Sequence, residues 1–253
     1  MTEPAANPVA EPQEIRSGTV LPARREDVEL RTPDGLTLVG ELALPLDRDP
    51  VATLVTFHPL PTHGGFMDSH LYRKASLRLP ALADLAVLRF NSRGTSSPRG
   101  TSEGAFGDGI AEEGDVAAAF DLVRERKLPA PWFVGWSFGT ELALKYARRY
   151  EDELAGVILL SPPLRRTTPE ELAAWKGFEK PFVWLVPEHD DFLKPDEARA
   201  KIAEAGLEGV DFVAVEGGRH LWVGESQTRR VLDEIVARVN PSKSPLPTSW
   251  PAG

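Results

Sequence analysis

The apolar residues of this chain recur with two spacings. In the runs 28–31 and 36–44 they alternate with polar ones, and Thr32-Pro33-Asp34-Gly35 stands between the two runs. Alternation marks half-buried strands, and a Pro-Asp-Gly turn between them predicts an antiparallel hairpin. The run 51–57 is apolar or β-branched throughout, as expected of a strand covered on both faces. From there the pattern switches back and forth. Helical spacing predicts helices over 71–84, 110–126, 138–150, 196–205 and 226–239, and short apolar runs predict strands over 86–90, 132–135, 156–160, 182–186 and 210–215. A leading hairpin followed by alternating strand and helix implies an α/β fold. Its central sheet is mostly parallel, has about eight strands and carries helices on both faces. Reactive groups in such sheets gather at the carboxyl ends of the strands.

Composition narrows the picture at the ends and in the choice of partner. Residues 1–24 are rich in Pro, Ala and Glu without an apolar period, and Pro241, Pro245, Pro247 and Pro251 crowd the other end. These stretches predict a disordered N-terminal tail over 1–24 and a flexible C-terminal tail over 241–253, leaving a single domain over 25–240. A net charge of -9 argues against nucleic acid, whose phosphates need a concentrated basic surface. The absence of cysteine removes disulfides, thiolate catalysis and cysteine-bound metals. The first residues lack the basic start and apolar run of a signal peptide, and no apolar run approaches a membrane span. The expectation is a cytoplasmic protein without a membrane partner.

One pentapeptide carries the chemistry. Gly135-Trp136-Ser137-Phe138-Gly139 follows an apolar strand and opens a helix, the context a nucleophile elbow demands. A strand that turns sharply into a helix with serine at the apex leaves no room for Cβ atoms on either side, so glycine flanks it. The helix start then aims backbone N–H groups at developing negative charge. A serine nucleophile needs a base. Of the five histidines, His220 follows the last strand through the glycine-bearing loop Glu216-Gly217-Gly218-Arg219 and precedes the final helix. The base needs an orienting carboxylate, and Glu188, Asp190 and Asp191 lie just past the strand 182–186. The order serine, carboxylate, histidine suits this architecture.

The remaining signals supply a resemblance. His58-Pro59-Leu60-Pro61 with Gly64-Gly65-Phe66-Met67-Asp68, then Arg89-Phe90-Asn91-Ser92-Arg93-Gly94, then Ser137-Phe138-Gly139 stand in that order. Over roughly 28–239 the chain resembles the α/β-hydrolase family, and especially its small bacterial members without a large cap domain. The resemblance implies Ser137 as nucleophile, His220 as base and a carboxylate several residues before a proline. Counting back from Pro195 gives Asp190. Pro187 stands where relatives carry glycine, so Asp191 stays open as the alternative. The family also implies oxyanion donors at the backbone N–H groups of Phe138 and Leu60. His58 is then a loop-shaping residue.

His58, His63 and His70 near Asp68 match no metal-site spacing, and the glycine-rich stretch 93–109 lacks a phosphate-loop ending, so neither a metal nor another cofactor is expected. Asp115 is placed to tie down the arginine-bearing loop before it. Only about twenty residues separate the strands 156–160 and 182–186, too few for a large cap. A partly open cleft is expected, with Leu60, Phe66, Met67, Trp136, Trp175 and Trp222 as its walls. The expected activity is hydrolysis of a small-molecule carboxylic ester or thioester through an acyl-enzyme. An acyltransferase with the same triad, or a non-catalytic binding protein on the same scaffold, are the alternatives.

Overall fold

In the computed structural model, residues 12–251 are described. The hairpin consists of β1 (Arg24–Arg31) and β2 (Thr37–Leu44), paired antiparallel with Leu30 opposite Leu38. Six strands follow: β3 (Ala52–Phe57), β4 (Leu85–Phe90), β5 (Pro131–Trp136), β6 (Gly156–Leu160), β7 (Phe182–Pro187) and β8 (Val210–Val215). They join one eight-stranded sheet in the order β8-β7-β6-β5-β3-β4-β2-β1. Every pairing from β8 to β4 is parallel, and β2 is antiparallel to both β4 and β1, so in this sheet β2 alone runs against the other strands. The continuous apolar runs are those buried on both faces: all six residues of β3, β4, β5 and β7 are buried.

Side chains alternate between two cores. On one face, Val55, Phe57, Leu88, Phe133, Trp184 and Val186 pack under helices α2 (Glu113–Glu125), α3 (Phe138–Tyr146) and α5 (Pro195–Glu204). On the other, Leu54, Val87, Val134, Val183 and Leu185 pack under α1 (His70–Ala83) and α6 (Glu225–Val239). A short helix, α4 (Pro169–Ala173), lies between β6 and β7 and is all the regular structure in that segment. Among the described residues, no large cap covers the sheet ends. The stretch expected to be helical over 138–150 changes to a 3-10 turn at Ala147–Tyr150, and the expected start at 110 gives way to turns before Glu113.

The two tails are corrected by the structure. Gln13–Glu14 pairs antiparallel with Ser249–Trp250. Ile15, Leu21 and Leu246 are buried in the α1/α6 core. The Ile15 N–H donates to the Thr248 carbonyl at 2.8 Å. Isolated apolar residues among prolines show no period, but three of them anchor both segments to the domain surface. The expectation for residues 1–11 and 252–253 lies outside the described residues. Among the described residues, no helix is long and apolar enough to cross a membrane.

Candidate active site

Ser137 stands at the junction of β5 and α3 with φ 52° and ψ −111°. A non-glycine residue in this region stores roughly 1–3 kcal/mol of strain and persists only where its surroundings overdetermine it. Here they do. A Cβ on Gly139 would sit 2.0 Å from the Phe57 carbonyl oxygen, and one on Gly135 would sit 2.3 Å from the Gly139 carbonyl oxygen. The Ser137 N–H donates to the Leu160 carbonyl at 2.9 Å, and its own carbonyl accepts from the Thr140 N–H at 2.9 Å. The turn is closed from both sides by backbone, so the hydroxyl is held above the sheet.

Two loops at neighbouring strand ends complete the constellation. After β7, Asp190 turns inward and is 3% exposed, whereas Asp191 is exposed. The Asp190 carboxylate accepts from the N–H groups of Phe192 (2.8 Å) and Leu193 (3.3 Å), which fixes its orientation. After β8, the His220 ring lies between acid and serine. Its Nδ1–H donates to Asp190 Oδ2 at 2.9 Å, with Oδ1 at 3.1 Å. That tautomer leaves Nε2 as the acceptor for the Ser137 hydroxyl, 2.8 Å away. The backbone of His220 is pinned as well, since its carbonyl accepts from Trp136 Nε1–H (3.1 Å) and the Ser161 hydroxyl (3.0 Å). All three side chains are buried or nearly so, but Ser137 and His220 open into a cleft of about 530 Å³.

Phe138 and Leu60, the expected oxyanion donors, both line this cleft. Phe138 is the first residue of α3, where a helix leaves its N–H groups without an internal partner. Leu60 caps the 3-10 turn Pro61–His63, and its carbonyl accepts from the His63 and Gly65 N–H groups, both at 3.0 Å. His58 shapes this loop from beneath. Its Nε2 accepts from the Ser92 N–H at 3.0 Å and its Nδ1–H donates to the Pro59 carbonyl at 2.7 Å. Burial pushes the ring's pKa down to about 4, so it is neutral at pH 7 and both nitrogens are satisfied.

Most of the expected cleft walls lie elsewhere. Met67, Trp136, Trp175 and Trp222 are at most 2% exposed and belong to the cores. Trp136 precedes Ser137 on β5, and strand alternation sends it toward α1, edge-on to Tyr72. Trp222 enters the same core beneath α6. Trp175 stacks on Phe182 at 4.4 Å, and its indole donates to the Leu144 carbonyl. Phe66 is half-buried and does not line the cleft. The segments around Met67 and Arg89 are a clamp. Arg89 reaches both Glu41, at 2.7 Å, and Asp68, while the Asn91 side chain accepts from the Met67 N–H at 3.0 Å. Asp115 holds the next loop: the Arg93 N–H and Nε–H both donate to it at 2.8 Å. Burial nevertheless pushes the Asp115 carboxyl up to about 6, against the pull of Arg93.

The walls the sequence did not suggest include Pro59, His63, Pro163, Arg165, Phe192 and Leu221. Phe192 packs over the His220 ring at 4.4 Å. Each of these residues sits just past the carboxyl end of a strand, and that position was the one signal available for finding them. Among the described residues, no group of three or more histidine, aspartate or glutamate side chains gathers in a metal-binding arrangement.

A family model described as alpha/beta hydrolase fold matches residues 62–201. Solved structures agree over nearly the whole chain. An alpha-beta serine hydrolase homologue from Coxiella burnetii is 24% identical, with a TM-score of 0.69 over 84% of this chain and 96% of that one. A serine hydrolase without a lid from Xanthomonas campestris is also 24% identical, with a TM-score of 0.68 over 91% and 99%. An esterase from Pyrococcus furiosus is 18% identical, with a TM-score of 0.66 over 94% and 97%. At these identities the likeness to the solved structures is one of fold.

Proposed function

The chain belongs to the α/β-hydrolase fold family, and from that premise we propose that it is a serine hydrolase cleaving carboxylic esters or thioesters through an acyl-enzyme on Ser137. One observation carries the proposal: the Ser137 hydroxyl, the His220 ring and the Asp190 carboxylate form a continuous hydrogen-bonded line, at 2.8 and 2.9 Å, opening into a cleft. In the proposed reaction Ser137 Oγ attacks the carbonyl carbon while His220 Nε2 takes its proton. Asp190 holds the Nδ1–H and stabilises the imidazolium that forms. The negative charge on the carbonyl oxygen is received by the N–H groups of Phe138 and Leu60, each such donor being worth roughly 3 kcal/mol in the transition state. The imidazolium then protonates the leaving alcohol or thiol. Water, deprotonated by the same nitrogen, releases the acid. Every group these steps call for is on this chain.

The lining supports acyl or aryl groups as substrate, since Pro59, Leu60, Phe138, Pro163, Phe192 and Leu221 make up half of the residues that line it. The cleft is open to one side, so a flat or chain-like group can project from it. The test is fluorophosphonate labelling with peptide mapping. Labelling of Ser137 that is lost in His220→Ala is the expected result. A folded protein whose Ser137 stays unlabelled refutes the proposal and favours a binding role for the scaffold.

A further inference from the structure

Two arginines line the cleft, and they are placed differently. Arg166 is committed: its Nε–H donates to Asp108 at 2.7 Å. Arg165 is exposed, and among the described residues no carboxylate oxygen lies within 4.0 Å of its guanidinium. Its guanidinium carbon instead sits 5.0 Å from the centre of the Phe192 ring. Phe192 in turn covers His220, so Arg165 is one aromatic ring removed from the proposed base.

The chain beneath Arg165 is fixed at a cost. Glu141, in the first turn of α3, is fully buried. Its Oε1 accepts from the N–H groups of Arg165 (2.7 Å) and Arg166 (3.1 Å), and its Oε2 accepts from the Thr167 hydroxyl. A buried carboxylate is expensive unless its hydrogen bonds are satisfied, and here all of them go to the loop that presents Arg165. The loop is thus anchored, and the cation stands over a ring that limits where its side chain can go. With no carboxylate of the described residues within 4.0 Å, the N–H fork of the guanidinium is available to meet a carboxylate in two-point fashion. The opposite charge on this rim is Asp191, which is exposed and farther than 4.0 Å from Arg165.

We propose that Arg165 is a specificity-determining residue that selects substrates bearing a carboxylate remote from the scissile bond. This rests on the hydrolase reading of the same cleft. The remote carboxylate docks on the guanidinium edge while the apolar chain or ring between it and the ester lies against Phe192 and Leu221. Phe192 separates the two sites, so the recognised charge is held away from the reacting carbonyl.

The test uses two matched substrate pairs with the full-length protein. One pair is 4-nitrophenyl adipate and its methyl ester, which places the carboxylate on the acyl side. The other is 4-hexanoyloxybenzoate and its methyl ester, which places it on the leaving group. The readout is the ratio of kcat/KM for acid over methyl ester. In Arg165→Met this ratio should fall about tenfold, or about 1.4 kcal/mol, in at least one pair. Most of the loss should appear in KM. Arg165→Lys should recover part of it, and the same ratio should be unmoved in Arg199→Met, a loss of one exposed charge on α5. A ratio that stays constant in both pairs, with acid and methyl esters losing kcat together, would show that Arg165 only props Phe192, and the proposal fails. Fluorophosphonate labelling of the same preparations keeps the two failures apart. Labelled Ser137 with a constant ratio overturns this inference alone, whereas unlabelled Ser137 overturns the hydrolase reading and this inference with it.

Discussion

Lowering the pH from 7 to 4 should strip stability from this fold through His58, and the size of the loss follows from the structure. The ring is fully enclosed, with Nε2 accepting from the Ser92 N–H and Nδ1–H donating to the Pro59 carbonyl. Protonation would turn Nε2 into a second donor facing a donor. Burial accordingly holds the pKa near 4, against 6.5 for the exposed side chain. Between those values the unfolded chain binds a proton that the native state refuses. The contribution is therefore complete above pH 6.5, shrinks as the pH falls, and is gone by about pH 4. The distance from 6.5 to about 4, at 1.36 kcal/mol per pH unit, comes to about 3 kcal/mol. Urea unfolding of wild type and His58→Gln from pH 7.5 to 4 isolates this quantity, since the carboxylates, Asp115 among them, are common to both proteins. The variant should be the less stable at neutral pH, and the two stability curves should converge by about 3 kcal/mol on acidification. Parallel curves, separated by a constant to within about 0.5 kcal/mol, would mean that the ring titrates normally in the native state, and the argument from burial would be wrong.

Other outcomes follow from the same geometry. Asp190→Asn should lower kcat by about four orders of magnitude by disturbing the His220 tautomer, whereas Asp191→Asn should keep most of its turnover; steady-state assays on a chromogenic ester would show the reverse if the acid were misassigned. Trp222→Ala should cost about 3–5 kcal/mol of stability in chemical denaturation, because the indole fills a core. A wall residue would instead leave stability unchanged and raise KM. Arg89→Met takes from the buried Glu41 one of its two arginine partners, leaving only the half-buried Arg99, and should cost about 3 kcal/mol, part of which Glu41→Gln added to it should restore.

How much of this could be read from the chain varies with what each feature depends on. The strands β3 to β7 and their order along the chain follow from apolar runs, because a strand buried on both faces leaves few polar positions to blur it, whereas β8 lies at the sheet edge and keeps only Val215 fully buried. Ser137 was legible because the turn that holds it excludes Cβ atoms on both sides. The choice between Asp190 and Asp191 was not, since it depends on which carboxylate the loop turns toward the Phe192 and Leu193 N–H groups. The tryptophans misled for a definite reason. Trp136 and Trp222 sit one and two residues from reactive ones, yet the strand and the turn send their indoles into the core, while Trp175, just past α4, turns down onto Phe182. Arg165 carried no signal of its own, because what distinguishes it from Arg166 is the position of Asp108, 57 residues earlier.

The pairing of Gln13–Glu14 with Ser249–Trp250 also has a mechanical meaning. The strands are antiparallel, and the chain leaves both of them on the same side. A force pulling residues 12 and 251 apart therefore loads the two rungs one after the other, like a zipper, and not together as in shear. The clip should part at low force, freeing Ile15, Leu21 and Leu246 from α1 and α6 while the eight-stranded sheet still bears no load. Stretched from its ends, the molecule should give way in two stages, with the reactive serine untouched by the first.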